Sequence, residues 1–199
     1  MLSVRHLARP GLEPLSFDLA AGECVALRGP SGAGKSLLLR ALADLDPSTG
    51  EVLLDGRERH QMAACAWRRL VGYVPAEPGW WSDRLAEHFL DWAGQAGPAR
   101  RLMIPDSTAE RPVRQLSTGE RQRLALLRAM ERGPKVLLLD EPTGPLDEEA
   151  TAAVEAMLRE KQGNGLAILW VTHDRRQAER IADRRFYIDR GRLREEVLA

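Results

Sequence analysis

Hydrophobic and polar positions follow different periods in different parts of the chain. The first third consists of short apolar runs between turn residues, which predicts strands at 2–7, 15–19, 23–28 and 50–56. In the last third, apolar strands at 135–140 and 166–172 alternate with helical patterns at 148–161 and 175–182. Strands that are apolar almost throughout and lie between helices are typical of a parallel sheet covered on both faces.

The middle of the chain has a different pattern. After a strand predicted at 70–74, residues 82–132 contain no convincing strand, and Pro and Gly divide them into helical pieces. The fold predicted is an α/β domain with a mainly parallel sheet flanked by helices, an N-terminal antiparallel β region and a helical subdomain. We expect a single domain over residues 1–199, with its core at about 1–76 and 133–199 and the helical subdomain at about 77–132.

Composition and charge exclude several classes of protein. Lys and Arg together number 29, as do Asp and Glu, so the overall positive charge typical of nucleic-acid binding is absent and no nucleic-acid partner is expected. No apolar run approaches the ~20 residues that cross a bilayer, and Arg5, His6 and Arg9 interrupt any signal-peptide segment. Cys24 and Cys65 have no metal-site or disulfide spacing, so we expect a reducing, cytoplasmic location.

A glycine-rich loop stands between a predicted strand and a predicted helix. It matches the phosphate-binding pattern G-x-x-x-x-G-K-[ST] with Gly29, Pro30, Ser31, Gly32, Ala33, Gly34, Lys35 and Ser36. The glycines let backbone N–H groups turn toward a polyphosphate, and the helix N-terminus adds a positive dipole. We expect Lys35 to reach the β- and γ-phosphates and the Ser36 hydroxyl to bind Mg²⁺. The loop predicts ATP binding by a P-loop NTPase, but it also fits a small nucleoside-monophosphate kinase.

A second apolar strand ends in two carboxylates, Asp140 and Glu141. The carboxyl ends of parallel strands line the ligand crevice of an α/β sheet. Asp140 is therefore the natural partner of the metal held by Ser36. Glu141, one residue further on, is placed to orient and deprotonate a water molecule.

The segment Leu116-Ser117-Thr118-Gly119-Glu120 is similar to the signature sequence LSGGQ of ATP-binding cassette (ABC) ATPases. Here Thr stands for the first Gly and Glu for the Gln. Ser117 and Glu120 also form the pattern of a capping box for a helix at 118–132. Three further motifs follow in the family's order: the Asp-Glu-Pro-Thr run from Asp140, the D-loop ending in Asp147, and the switch-histidine segment around His173. A nucleotide kinase needs none of these four. Together with the glycine-rich loop, the motifs span residues 29–174, so the resemblance covers nearly the whole chain.

This resemblance implies a shared ATP site. In the family, two nucleotide-binding domains pack head to tail, so Ser117 and Gly119 of one copy are expected to face the ATP held by residues 29–36 of the other. One cassette per chain then implies a homodimer. By the same resemblance, Lys35, Glu141 and His173 are the catalytic residues, with His173 on the γ-phosphate and Asp147 lining the ATP site.

Two positions depart from the family pattern. The loop after the strand at 70–74 usually carries a Gln, and Ala76 occupies its place, with Glu77 beside it. The family also usually stacks adenine on an aromatic residue after the first strand. The corresponding stretch has none, and Arg9 is the expected substitute because a guanidinium stacks on aromatic faces.

The remaining question is which kind of ABC ATPase the chain is. It has neither the two cassettes of translation factors nor the long coiled coil of chromosome proteins, which favours a transporter subunit on the inner face of the membrane, bound to a separate permease. Residues 166–174 resemble subunits of small two-gene bacterial exporters linked to iron or metal homeostasis. Trp80 and Trp81 lie where the family receives its permease, unless they pack inside the subdomain. The alternatives are an ABC ATPase without a transport role and a weakly hydrolysing ATP-gated clamp.

Overall fold

A computed structural model describes residues 1–196 of the chain. Its N-terminal part contains a four-stranded antiparallel sheet with the strand order β2-β1-β4-β5. The strands of this sheet are β1 (Leu2–Arg9), β2 (Leu12–Leu19), β4 (Thr49–Leu54) and β5 (Arg57–Glu58). The predicted N-terminal antiparallel region is therefore confirmed, and β5 is an addition to it.

The second sheet has six strands in the order β10-β9-β3-β8-β7-β6. The five strands from β9 to β6 run parallel, and only β10 is antiparallel to its neighbour β9. Their bounds are β3 (Cys24–Arg28), β6 (Val71–Val74), β7 (Val136–Asp140), β8 (Ala167–Val171), β9 (Arg184–Asp189) and β10 (Arg192–Glu196). The prediction of a mainly parallel sheet is confirmed.

Within residues 1–196, six α-helices connect these strands. They are α1 (Lys35–Leu42), α2 (Ala64–Leu70), α3 (Ala96–Arg101), α4 (Thr118–Glu131), α5 (Glu148–Gly163) and α6 (Arg175–Ile181). Between β6 and α4 the described chain contains α3 and short 3-10 turns but no strand, as predicted for this stretch. None of the helices within residues 1–196 has the length and apolar character needed to cross a membrane.

The parallel sheet is buried on both faces, which explains its nearly continuous apolar strands. Along β7, Val136 and Leu138 belong to the core on one face, whereas Leu137 and Leu139 belong to the core on the other. The first core includes α1 and the antiparallel sheet, and the second includes α4, α5 and the stretch between β6 and α4. The helical stretch therefore shares its core with the sheet, and its status as a separate subdomain stays a prediction.

The C-terminal end of α1 is held by two buried side chains. The indole Nε1–H of Trp67 in α2 donates to the Leu42 carbonyl at 2.8 Å, and the Arg59 guanidinium donates to the Ala41 carbonyl at 2.6 Å. Both side chains are almost fully buried, and burial lowers the pKa of Arg59. The Trp67 bond satisfies the Leu42 carbonyl at the end of the helix, whereas the Ala41 carbonyl also accepts from the Asp44 N–H at 3.2 Å. Both side-chain bonds fix the far end of the helix that begins with Lys35.

Candidate functional site

The glycine-rich loop connects β3 to α1, as the sequence predicts. Gly29, Gly32 and Gly34 have positive φ values of 153°, 77° and 107°. A Cβ atom at Gly29 would lie only 2.0 Å from the Ile188 carbonyl oxygen of β9, so no other residue fits there. The loop is also tied to the β9–β10 turn, because Gly191 donates its N–H to the Ala33 carbonyl at 3.0 Å.

Lys35 lies within the loop that precedes it. Its ammonium group donates to the carbonyls of Gly29 and Pro30, both at 2.9 Å, and the residue is 7% exposed. Burial lowers the pKa of Lys35, whereas the negative charges of Glu141 and Asp140 act in the opposite direction. The predicted lysine therefore lies close enough to both predicted carboxylates to interact with their charges.

Asp140 and Ser36 are the predicted metal ligands. Asp140 is 5% exposed at the end of β7, and Ser36 is exposed in the first turn of α1. The Tyr73 hydroxyl of β6 donates to Asp140 Oδ2 at 3.4 Å, and burial together with the Asp140 charge raises the pKa of Tyr73 to about 12. Tyr73 is thus a neutral donor that sequence reasoning missed. A hydroxyl and one carboxylate are hard oxygen ligands, a donor set that fits Mg²⁺ bound together with nucleotide phosphates.

Glu141 and His173 are in direct contact, although 32 positions separate them in the numbering (173 − 141). His173 Nε2 lies 2.5 Å from Glu141 Oε1, and the two side chains are 52% and 34% exposed. Glu141 has the positive φ of 49°, which is uncommon for a residue with a side chain. Its N–H donates to the Val171 carbonyl of β8 at 3.1 Å. The two predicted catalytic residues thus form one accessible pair at the carboxyl ends of β7 and β8.

Ser117 caps α4 through both bonds of the predicted capping box. Its hydroxyl accepts from the Glu120 N–H at 3.1 Å, and Glu120 accepts from the Ser117 N–H at 2.7 Å. Gly119 packs against the D-loop, since a Cβ there would lie 3.1 Å from Leu146. Asp147 caps α5 by accepting from the Ala150 N–H at 2.8 Å. Within residues 1–196, Ser117 makes no hydrogen bond to the glycine-rich loop of its own chain.

Arg9 is held by an ion pair. Its guanidinium donates to Asp46 at 2.5 Å, Asp46 also accepts two hydrogen bonds from Arg40, and the Arg9 side chain is 15% exposed. The β1–β2 turn that follows Arg9 packs on α1, because a Cβ at Gly11 would lie 2.9 Å from Leu37. The first strand therefore ends beside the phosphate loop helix. Base stacking by Arg9 stays a prediction.

Ala76 and Glu77 are exposed after β6, and the two tryptophans that follow differ in burial. Trp80 packs partly against the core shared with α4, whereas Trp81 is 68% exposed. The Arg128 guanidinium lies 4.5 Å from the Trp80 ring and 5.1 Å from the Trp81 ring. Trp80 therefore packs inside the protein, which is one of the two alternatives for this pair. Trp81 lies at the surface, which is what a contact with a permease requires.

A glycine-rich loop after a parallel strand, with carboxylates at the end of another strand of the same sheet, defines a P-loop nucleoside triphosphatase. The sequence profile of the ABC transporter family matches residues 12–144, so the chain belongs to that family and is an ATP-binding cassette ATPase. The predicted family, fold and enzyme class are confirmed. The nucleoside-monophosphate kinase alternative is wrong.

Individual relatives agree with this assignment. The chain is 36% identical over 176 residues to the probable iron export ATP-binding protein FetA of Escherichia coli (strain K12), covering 82% of this chain and 78% of that protein. It is 36% identical over 202 residues to the sulfate/thiosulfate import ATP-binding protein CysA of Caulobacter vibrioides, covering 92% of this chain and 59% of that protein. A solved dimeric ATP-binding cassette in a post-hydrolysis state with ADP and Pi has a TM-score of 0.85 and 25% identity, covering 100% of this chain and 99% of that one.

Proposed function

We propose that this cassette binds MgATP between two copies of itself and hydrolyses it to power a separate membrane permease. The observation that carries the proposal is the Glu141–His173 contact of 2.5 Å. This contact lies at the carboxyl ends of β7 and β8, and Lys35 follows the carboxyl end of β3 in the same sheet. A proton acceptor, a proton donor and a buried cation at the same end of the sheet support this proposal, because the γ-phosphate of a nucleotide bound by Lys35 would lie beside the pair.

Each side chain has a distinct part in the reaction. Lys35 and the loop N–H groups bind the β- and γ-phosphates, and the positive dipole of α1 adds to their attraction. Ser36 and Asp140 would hold Mg²⁺, which, when bound, neutralises the charge that develops on the phosphates. Glu141 orients the attacking water and takes its proton. His173 donates through Nε2 to Glu141 or to the γ-phosphate, which keeps the base correctly oriented.

The dimer follows from where the signature lies. Ser117 and Gly119 adjoin the D-loop, and their hydrogen bonds within residues 1–196 are not to the phosphate loop of the same chain. The Ser117 hydroxyl accepts one bond in the cap and keeps its own proton to donate to an anion at this helix N-terminus. In a head-to-tail pair, this surface of one copy faces residues 29–36 of the other. A relative of the same fold is dimeric in the solved structure described above.

The test uses Glu141→Gln, which keeps the shape of the side chain and removes the base. With MgATP, this variant is expected to accumulate as a dimer in size-exclusion chromatography with light scattering, because ATP that is not hydrolysed continues to hold the two copies together. Glu110→Gln, an exposed glutamate elsewhere, is the matched control and should behave as the wild type. A Glu141→Gln protein that turns over ATP at the normal rate would refute the assigned role.

We place the permease contact at Trp81, whose ring is exposed and stabilised by Arg128. Exposed aromatic residues are frequent anchors of interfaces, and truncating one costs ~2 kcal/mol or more when it is a hot spot. Trp81→Ala should weaken co-purification of the cassette with its permease, without changing the ATP affinity of the cassette. Leu90→Ala is the matched control, since Leu90 is an apolar residue that is 65% exposed. Full retention of the permease by Trp81→Ala would place the docking surface elsewhere.

Through such a permease the chain would lie on the inner face of the membrane. The similarity to FetA supports a part in metal export, as residues 166–174 also predict, whereas CysA is an import subunit. Efflux of labelled iron from cells that express the chain with its permease distinguishes the two directions. Export should stop in Glu141→Gln cells, and iron uptake that depends on Glu141 would instead establish import.

A further inference from the structure

A group of polar side chains adjoins the segments that carry Glu141 and His173, and its central members are buried whereas Arg180 is half-exposed. Gln177 of α6 is 4% exposed and contacts Thr143, Thr172 and Glu155, and Arg180 completes the group, which we call the Gln177 cluster. Buried polar groups are costly unless each one has a hydrogen-bond partner. The partners of this cluster come from both segments that carry the catalytic pair and from α5.

Every hydrogen-bonding atom of the Gln177 amide is used. Nε2 donates to Thr143 Oγ1 and to Glu155 Oε1, both at 2.9 Å, and Oε1 accepts from Thr172 Oγ1 at 2.8 Å. Arg180 donates twice to the Glu155 carboxylate, at 2.8 and 2.7 Å.

The charge of Glu155 fixes the direction of these bonds. Burial would raise the pKa of Glu155, but the hydrogen bonds from Arg180 and Gln177 lower it on balance. An ionised carboxylate accepts hydrogen bonds and donates none. The amide nitrogen of Gln177 therefore faces Glu155, and its oxygen faces Thr172.

The cluster connects the two catalytic segments. Thr172 directly precedes His173, and its hydroxyl, whose proton goes to Gln177, accepts from the Asp174 N–H at 3.1 Å. This bond closes a turn around His173. On the other side, Thr143 lies two residues after Glu141. One amide thus bridges the segment of the base and the segment of the histidine.

The backbone of Glu141 makes such a bridge useful. A positive φ in a residue with a side chain is unfavourable and persists only where the surroundings hold it. Catalysis is also sensitive to small displacements, since an error of about 1 Å can lower a rate about 100-fold.

We propose that Gln177 is a positioning residue that sets the distance between Glu141 and His173 through Thr143 and Thr172. The inference rests on the proposed function of that pair. Gln177 touches neither nucleotide nor water in this reaction, and its effect reaches the chemistry only through the two segments that it joins.

The first test is Gln177→Ala, with Gln162→Ala as the matched control. Gln162 also donates an amide hydrogen bond, to Asp183 at 2.8 Å, but it lies at the far end of α5. We expect Gln177→Ala to lower kcat for ATP about tenfold or more with little change in KM, because the phosphate loop is untouched. Gln162→Ala should keep the wild-type kcat. Equal kcat values for both variants would overturn the inference.

A second variant separates positioning from folding. Gln177→Glu places a carboxylate against that of Glu155, and like charges this close favour protonation of one of them. The ratio of variant to wild-type kcat should therefore rise as the pH falls, because protonation removes the repulsion and restores a donor. The double variant Gln177→Glu/Glu155→Gln should recover activity at neutral pH. It again pairs one amide with one carboxylate, with the amide now at position 155. A ratio that is independent of pH, without recovery in the double variant, would refute the proposal even if Gln177→Ala fails to fold.

A readout without turnover distinguishes this inference from the proposed function. The imidazole NMR signal of His173, assigned by its loss in His173→Ala, should shift in Gln177→Ala, while the signals of His6 and His60 stay in place. An unchanged His173 signal refutes positioning by Gln177. If instead the signal shifts and Glu141→Gln still hydrolyses ATP normally, the bridge exists and the catalytic assignment has failed.

Discussion

Two fully buried tryptophans differ in one hydrogen bond, which allows the energy of that bond to be measured. Trp67 and Trp170 are 0% and 1% exposed. The Nε1–H of Trp67 donates to the Leu42 carbonyl at 2.8 Å, whereas Nε1 of Trp170 has no partner among the described residues. Substitution by Phe removes the same atoms at both sites and leaves an apolar ring in place.

The two variants should differ in stability by more than their packing explains. Both lose buried ring atoms, a cost that they share. Trp67→Phe also leaves the buried Leu42 carbonyl without a partner, which costs about 1–3 kcal/mol. Trp170→Phe instead removes a buried donor that had no partner, and so it relieves a desolvation cost of similar size. We therefore expect Trp67→Phe to lower the free energy of unfolding by about 2 kcal/mol more than Trp170→Phe.

Urea unfolding followed by circular dichroism measures this difference, provided that both variants keep the wild-type dependence of the free energy on urea. Because the Leu42 carbonyl ends the helix that starts at Lys35, Trp67→Phe should also weaken ATP binding, whereas Trp170→Phe should not. Equal losses of stability in the two variants would show that the Trp67 bond contributes nothing net. A larger loss in Trp170→Phe would contradict the assignment of Trp170 as an unpaired donor.

Three further predictions concern single sites. Burial raises the pKa of the Cys24 thiol to about 12, so its reactive thiolate is depleted at pH 8; a disulfide reagent should label the exposed Cys65 in the native protein and both thiols only after unfolding. Ser117→Ala should lower the free energy of unfolding by about 1 kcal/mol in urea titrations, because the Glu120 N–H loses its acceptor, and an unchanged stability would contradict the cap. Ala76→Gln should raise the basal ATP hydrolysis of the free subunit by restoring a polar group beside the γ-phosphate, whereas an unchanged rate would mean that another group, such as Glu77, already has that role.

Motif residues were predictable because their chemistry depends on neighbours in the chain. The glycines around Lys35 and the pair Asp140-Glu141 each form a pattern that is legible over a few residues, and the structure places them together. The capping box of Ser117 is legible for the same reason. These local signals were sufficient for the family, the phosphate loop and the alternation of strands and helices in the last third of the chain.

Other features depend on contacts that no short pattern contains. Strand β5 and helix α2 are too short for a periodic signal, and the sequence reading missed both. The Gln177 cluster joins residues from four segments, and each one alone has the appearance of an ordinary polar surface position. Glu155 in particular lies on an amphipathic helix, where its burial becomes visible only when α6 packs beside it.

The order of strands in the sheet explains how the site is assembled. In the chain, Lys35 comes first, Glu141 second and His173 last, but β8 lies between β3 and β7 in the sheet. The histidine that follows β8 is therefore placed between the lysine after β3 and the glutamate after β7. Because these strands run parallel, all three residues follow the carboxyl ends of their strands, on the same side of the sheet. Exchanging β8 and β7 would keep every motif and separate His173 from the phosphate loop, so the topology assembles the candidate site as directly as the motifs do.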